Sequence, residues 1–178
     1  AAILGGDAPA FSTALAARAR RAFAGAEANP AVIFRNNDSA SGTSGLASGQ
    51  QEVNDSGRVA YRIRAAVQLF RLTGDSGYSA IVDQLYSQMQ LIRSTFAYPF
   101  EVARQDMLLY YADTPGATAS VREVIRSKYG TSVLTGGDNL PAHTVSKDPY
   151  LAHMKDYVWG SNSTKAHQGN LFWAMVTH

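Results

Sequence analysis

Nowhere does this chain alternate apolar and polar residues in the two-residue rhythm of a half-buried strand; its apolar residues recur at three- and four-residue steps between clusters of turn-forming residues. That pattern predicts an all-α protein of six or seven helices in antiparallel pairs. The sharpest punctuation is "LTGDSGY", residues 72–78. Gly74 suits the left-handed position that closes a helix, and Asp75 can accept the first free amides of the next one. A tight helix pair is the expected result.

The remaining punctuation sets the other boundaries. Asp7 is read as the cap of a helix to about Ala28, with Phe11, Leu15, Ala19 and Phe23 as its apolar stripe and Asn29-Pro30 as its end. Residues 35–52, half of them Ser, Gly or Asn, are too polar to pack and read as a long surface loop. Asn54 or Asp55 then caps a helix ending at Gly74, with Val59, Ile63, Ala66, Leu69 and Phe70 turned inward. A helix from Asp75 to about Ser94 follows, then one starting at Pro99. "ATASVREVIRSKYG" forms the next, closed at Gly130, with a second long loop from Thr131 to about Lys147. Asp148-Pro149 opens a short turn or helix. Ser163 is read as the cap of the last helix, where Ala166, Gly169, Asn170, Trp173, Ala174 and Thr177 share one side and Trp173 is assigned to the core.

Composition narrows the functional classes. With 178 residues and 46% apolar content the chain reads as one domain, residues 1–178. The 16 basic and 14 acidic residues are scattered, which argues against a nucleic-acid face and a polybasic membrane anchor. No apolar run is long enough to cross a membrane. The absence of cysteine excludes disulfides, thiolate metal sites and cysteine nucleophiles.

No nucleophile elbow, zinc-protease helix, P-loop or dinucleotide fingerprint occurs, so neither a cofactor nor a metal is expected. His143, His153, His167 and His178 are too widely spaced for a local metal signature and read as surface or hydrogen-bonded residues. Glu52, Asp55, Asp138 and Asp148 fall in expected loops where a carboxylate could serve acid–base chemistry, though capping explains Asp55 and Asp148 equally well. Trp159 differs from these, because it precedes Gly160 just ahead of a helix, where packing does not demand a large ring. A flat indole there suits the C–H face of a sugar; a ring wedged between helices is the competing reading.

The order "EANPAV", a long polar loop, "RAAVQLFRLTGDSGY" and then "YVWGSNSTKAHQGNLF" resembles the middle of a glycoside hydrolase family 9 catalytic domain. The resemblance spans nearly the whole chain and rests on the hairpin from Ala65 to Tyr78 and the "WGSN" turn, Trp159 to Asn162. It implies an (α/α)6 barrel, a six-hairpin toroid, and hydrolysis of β-1,4-glucan with inversion by a secreted cellulase. It assigns sugar stacking to Trp159, with Tyr157 and Asn162 as flanking contacts, and Lys165 and His167 follow at the helix start. The family's Asp-rich base motif and its acid Glu have no counterpart here. Around the family's Asp-Glu pair and Trp before the hairpin turn, this chain has Ala60-Tyr61 and Arg64. The catalytic residues are thus unassigned, and the chain alone is expected to be inactive.

About half of a twelve-helix toroid fits in this length, which implies apolar inner-helix faces covered by the remainder of a catalytic domain or by another copy of the chain. Two readings of different class follow. One is the central part of an endo-β-1,4-glucanase, acting on a β-glucan oligosaccharide or polysaccharide. The other is a catalytically inactive helical protein, kept for carbohydrate binding or structure. A different (α/α) barrel, such as a polysaccharide lyase or glucoamylase-like enzyme, shares the hairpins but not "WGSN".

Overall fold

The computed structural model describes Ile3, residues 5–33, Arg35, Ala40, residues 52–94, Ala97, residues 102–154 and residues 160–178. Every regular element among them is helical, in the order α1 (Pro9–Ala28), α2 (Asp55–Thr73), α3 (Ser76–Leu85), α4 (Gln90–Ser94), α5 (Val102–Asp113), α6 (Ala119–Thr135), α7 (Leu140–Thr144) and α8 (Ser161–Thr177). A 3₁₀ turn, Tyr86–Gln88, lies between α3 and α4. The protein is therefore all-α, as the periodicity predicts.

The α2–α3 join follows its residue types. Gly74 sits in the left-handed region at φ 69° and its amide returns to Phe70 O, while the Asp75 carboxylate accepts from Gly77 N at 2.8 Å. At the other end of α2 the cap is Asn54, whose side chain accepts from Gly57 N at 2.8 Å; Asp55 instead pairs with Arg58. The inward set of α2 is Ala60, Ile63, Ala66, Val67, Leu69 and Phe70, with Val59 only half-buried.

α2 lies against α3 and α5, and α5 lies against α6 and α8, so α5 is the hub of the core. Fully buried Tyr111 on α5 donates its hydroxyl to Asp83 of α3 and accepts from Thr118 N at 3.2 Å, tying three elements at one point. Burial, together with the Asp83 bond, raises the Tyr111 pKa and keeps that proton in place.

Several expectations are corrected. Asp7 is not the α1 cap: Ala8 holds that position with no side-chain bond, and Pro9 starts the helix with its φ already set. The α1 stripe covers the core only at its C-terminal end, where half-buried Phe23 packs against it, while Phe11 is 55% exposed and α1 has no buried residue. The single helix expected from Asp75 to Ser94 is broken at Met89, whose extended ψ of 141° turns the chain so that Met89 and Leu91 both bury.

The second long loop is mostly helix. α6 continues through Gly130 to Thr135 because Ser132 and Val133 are buried on its inner face, and α7 fills residues 140–144. Packing of that face outweighs the cost of a glycine inside a helix. Asp148 does form a turn, accepting from Tyr150 N at 2.8 Å. α8 starts at Ser161, after Gly160, rather than after a Ser163 cap. Its buried face is Gln168, Leu171 and Ala174, so of the six residues expected to share one side Ala174 alone is core, and Trp173 is 69% exposed. The expected start at Pro99 and most of the loop from 35 to 52 lie outside the described residues.

Both margins of this packing carry uncovered apolar surface. Between α1 and α2 runs an open groove of about 1590 Å³, lined by Leu15, Ala19, Phe23, Val59 and Leu72 among others. On α8 the outer face shows Trp173 and Val176 to solvent.

Candidate functional site

α8 is fixed from below by two buried amides. Asn139, in the α6–α7 connection, donates through Nδ2 to Ser132 O at 3.0 Å and Ala97 O at 3.3 Å, and its Oδ1 accepts from Gln168 Nε2 at 2.7 Å. Every heavy polar atom of the Asn139 amide therefore has a partner, and α6, α8 and Ala97 are joined through it.

Above this knot, the segment ahead of the "WGSN" turn is pinned to the same connection. Ser146 Oγ donates to Ala152 O at 2.6 Å, and His143 Nδ1 lies 3.0 Å from Leu151 O. A carbonyl only accepts, so His143 carries its proton on Nδ1. Leu151 is held at φ 52°, a region disfavoured for a residue with a Cβ, which these two clamps stabilise. The His143 ring lies edge-on to Phe172 of α8 at 5.2 Å and to His153 at 5.7 Å. His153 Nε2 is 3.7 Å from Asp138 Oδ1, an ion pair once the imidazole is charged.

Of the three residues assigned to sugar contact, Asn162 alone lies among the described residues. Tyr157 and Trp159 lie outside the described residues. Gly160 takes φ 85° and ψ 10°, so the chain enters α8 through a left-handed residue. Asn162 and Lys165 are exposed on the first turns of α8, and His167 is half-buried with a buried Nδ1 lacking a hydrogen-bond partner. Among the described residues no three His, Cys, Asp or Glu side chains are placed to hold a metal ion. No described helix is long and apolar enough to cross a membrane.

Among the described residues, the most perturbed carboxylate is one that sequence reasoning did not single out. Asp106 on α5 has its pKa raised to about 6 by burial, against the lowering effects of the Tyr129 hydroxyl and His178. Tyr129, on α6, is pushed up by burial and by the Asp106 charge, and so keeps its proton at any ordinary pH. Seven residues along α5, Asp113 is held by Arg126 Nη2 at 2.8 Å and by His178 Nδ1 at 2.5 Å. Burial alone would raise Asp113, but these two bonds outweigh it and hold the carboxyl below its ordinary value. Nothing in the local sequence distinguishes Asp106 from a solvated helix residue; its environment comes from α6 and α8. No protein-family model, curated protein or solved structure matches the chain.

Proposed function

We propose that the chain is the central part of the catalytic domain of an inverting, secreted endo-β-1,4-glucanase of the family 9 glycoside hydrolase type. In this reading it contributes substrate-groove residues to a six-hairpin (α/α) toroid, and the catalytic carboxylates come from outside it. Trp159 stacks on a pyranose ring, and Tyr157 and Asn162 contact its hydroxyls.

The observation that carries the reading is the backbone at Gly160. A left-handed residue at φ 85° just before α8 redirects the chain by a sharp turn, as a turn presenting its preceding side chain requires, and Asn162 is exposed two residues on. The α2–α3 hairpin, which the resemblance includes, supports the architecture, with Gly74 closing one helix and Asp75 capping the next as their residue types predict. The uncovered apolar surfaces at both margins fit a partial toroid whose neighbouring hairpins would pack there.

Inversion needs two carboxyl groups about 6.5–9.5 Å apart, with a water between them. The chain's part in this mechanism is to bind and align the glucan so that the scissile bond meets that pair. The test is calorimetric titration of the complete enzyme with cellohexaose, before and after Trp159→Ala. A stacked ring predicts affinity weaker by roughly tenfold, the equivalent of about 1.4 kcal/mol, with little change in Tm. Unchanged affinity beside a large fall in Tm would make the ring a packing residue and end the proposal for Trp159.

A further inference from the structure

Tyr129 stands between two acceptors with one proton to give. Its hydroxyl is 3.2 Å from Asp106 Oδ1 of α5 and 3.3 Å from Leu171 O of α8, and the residue is 1% exposed, so water does not complete the set. A phenol hydroxyl donates once and accepts through its lone pairs. With Asp106 ionised, the single O–H serves either the carboxylate or the α8 carbonyl, and the other contact is left without a hydrogen. With Asp106 protonated, the carboxyl donates to the Tyr129 oxygen, and the Tyr129 O–H is free for Leu171 O. Only the protonated form fills both contacts at once.

We propose that Asp106 is a proton-operated switch for the docking of α8, its protonated carboxyl completing a relay through Tyr129 to Leu171 O that the ionised form leaves one bond short. Leu171 lies at the centre of the buried face of α8 and is itself fully buried, so the relay acts where that helix meets α5 and α6. The helix concerned is the one entered through Gly160. Mild acid tightens it, and neutral or higher pH loosens it.

The surroundings of Asp106 favour this direction. Burial raises its pKa to about 6, and the groups opposing that rise are Tyr129 on α6 and His178 at the end of α8. His178 is engaged with Asp113, which also binds Arg126. On the α2 side the contact beside Asp106 is neutral, Gln68 Nε2 to Met107 Sδ at 3.3 Å, while the Arg71 guanidinium lies over Tyr110 and that of Arg104 over Tyr61.

The sign follows from proton binding. Between pH 3.8 and about 6 the folded chain holds a proton on Asp106 that the unfolded chain has released, so stability from this group falls as pH rises through that window. Above it the half-buried negative charge persists as a fixed penalty.

The experiment compares the parent with Asp106→Asn, an amide that donates to Tyr129 as the protonated acid does. Thermal melts from pH 4.5 to pH 8 should show the variant more stable at pH 8, by about 3 °C or more, with the difference shrinking toward zero at pH 4.5. Amide exchange should report the same trend for residues 168–174 of α8. A stability difference that does not vary with pH would overturn the switch. Should the variant fail to fold, the Asp106 carboxyl carbon in the parent still decides by NMR. A titration midpoint near 6 that moves together with α8 amide shifts supports the proposal; a midpoint near the ordinary 3.8 overturns it.

Discussion

Arg62 of α2 grips Glu27 of α1 through two parallel bonds, Nε to Oε1 at 2.7 Å and Nη2 to Oε2 at 2.5 Å. Although α1 has no buried residue, this fork and the edge-on contact of Phe23 with Tyr78 at 5.4 Å attach it to α2 and α3. The pair is about one-third exposed on each side, so solvent screens it, but its bidentate geometry exceeds that of an ordinary surface pair. Arg62→Met should cost about 0.5–1 kcal/mol locally, speeding amide exchange in α1 by roughly two- to fivefold and leaving α5 and α6 unchanged. Equal acceleration throughout the molecule would show that α1 unfolds only with the core.

Two glycine-to-alanine changes should move stability in opposite directions. At both Gly74 and Gly130 an added Cβ meets nothing within 4 Å, so backbone conformation alone decides. Gly74 is left-handed at φ 69°, and alanine there should cost about 1–2 kcal/mol, a Tm lower by roughly 2–8 °C. Gly130 is interior to α6, and alanine there should add about 0.5–1 kcal/mol. Thermal melts of the two variants side by side check both signs.

That contrast also shows what the sequence revealed. Gly74 and Asp75 were legible because a left-handed closure and a cap are properties of one residue and its immediate neighbours. Gly130 has the same letter but a different meaning, set by the burial of Ser132 and Val133 two and three residues on. α8 misled for a related reason. It has small or apolar residues around most of its circumference, and which arc is core depends on where α5 and α6 lie. Asp106 was invisible for the same cause, since its partner Tyr129 is 23 residues away. The Gly160 turn was legible as a turn, while the sugar contacts assigned around it rest on the place of Trp159 before that turn and on resemblance.

The buried amide pair should be strongly coupled. Asn139→Ala leaves Gln168 Nε2 without its acceptor and takes the Nδ2 bonds from the carbonyls of Ala97 and of Ser132, the latter keeping Gly136 N, which should cost about 2–4 kcal/mol. Gln168→Ala in the same background should then add much less than it does alone, with a coupling of about 1 kcal/mol or more. Urea unfolding of the two single variants and the double variant gives this directly. Additive losses would mean that the two amides do not depend on each other.

The acid limit should depend on Asp113. Its carboxyl is held below the ordinary value of 3.8, so its favourable contribution is present above that pH and is lost as pH falls through the lower folded value. Arg126→Gln removes one of the two bonds that outweigh burial, and acid unfolding followed by circular dichroism should then begin at a higher pH. The direction is opposite to that of Asp106, whose protonation stabilises. Acid curves that coincide for parent and variant would exclude Arg126 from this role.

Trp173 gives the most direct reading of the uncovered face of α8. Its ring is 69% exposed and Val176, also on that face, is 81% exposed. Truncating a packed tryptophan costs about 3–5 kcal/mol, whereas removing one that solvent already reaches should cost less than about 1 kcal/mol. Trp173→Ala in this chain should therefore leave Tm nearly unchanged, and Trp173→Phe should remove an iodide-quenchable component of the tryptophan fluorescence. A loss in the larger range, with Trp173 shielded from iodide, would mean that the face is covered in solution. A Tm that then rose with protein concentration would identify the cover as a second copy of the chain, because only association makes stability depend on concentration.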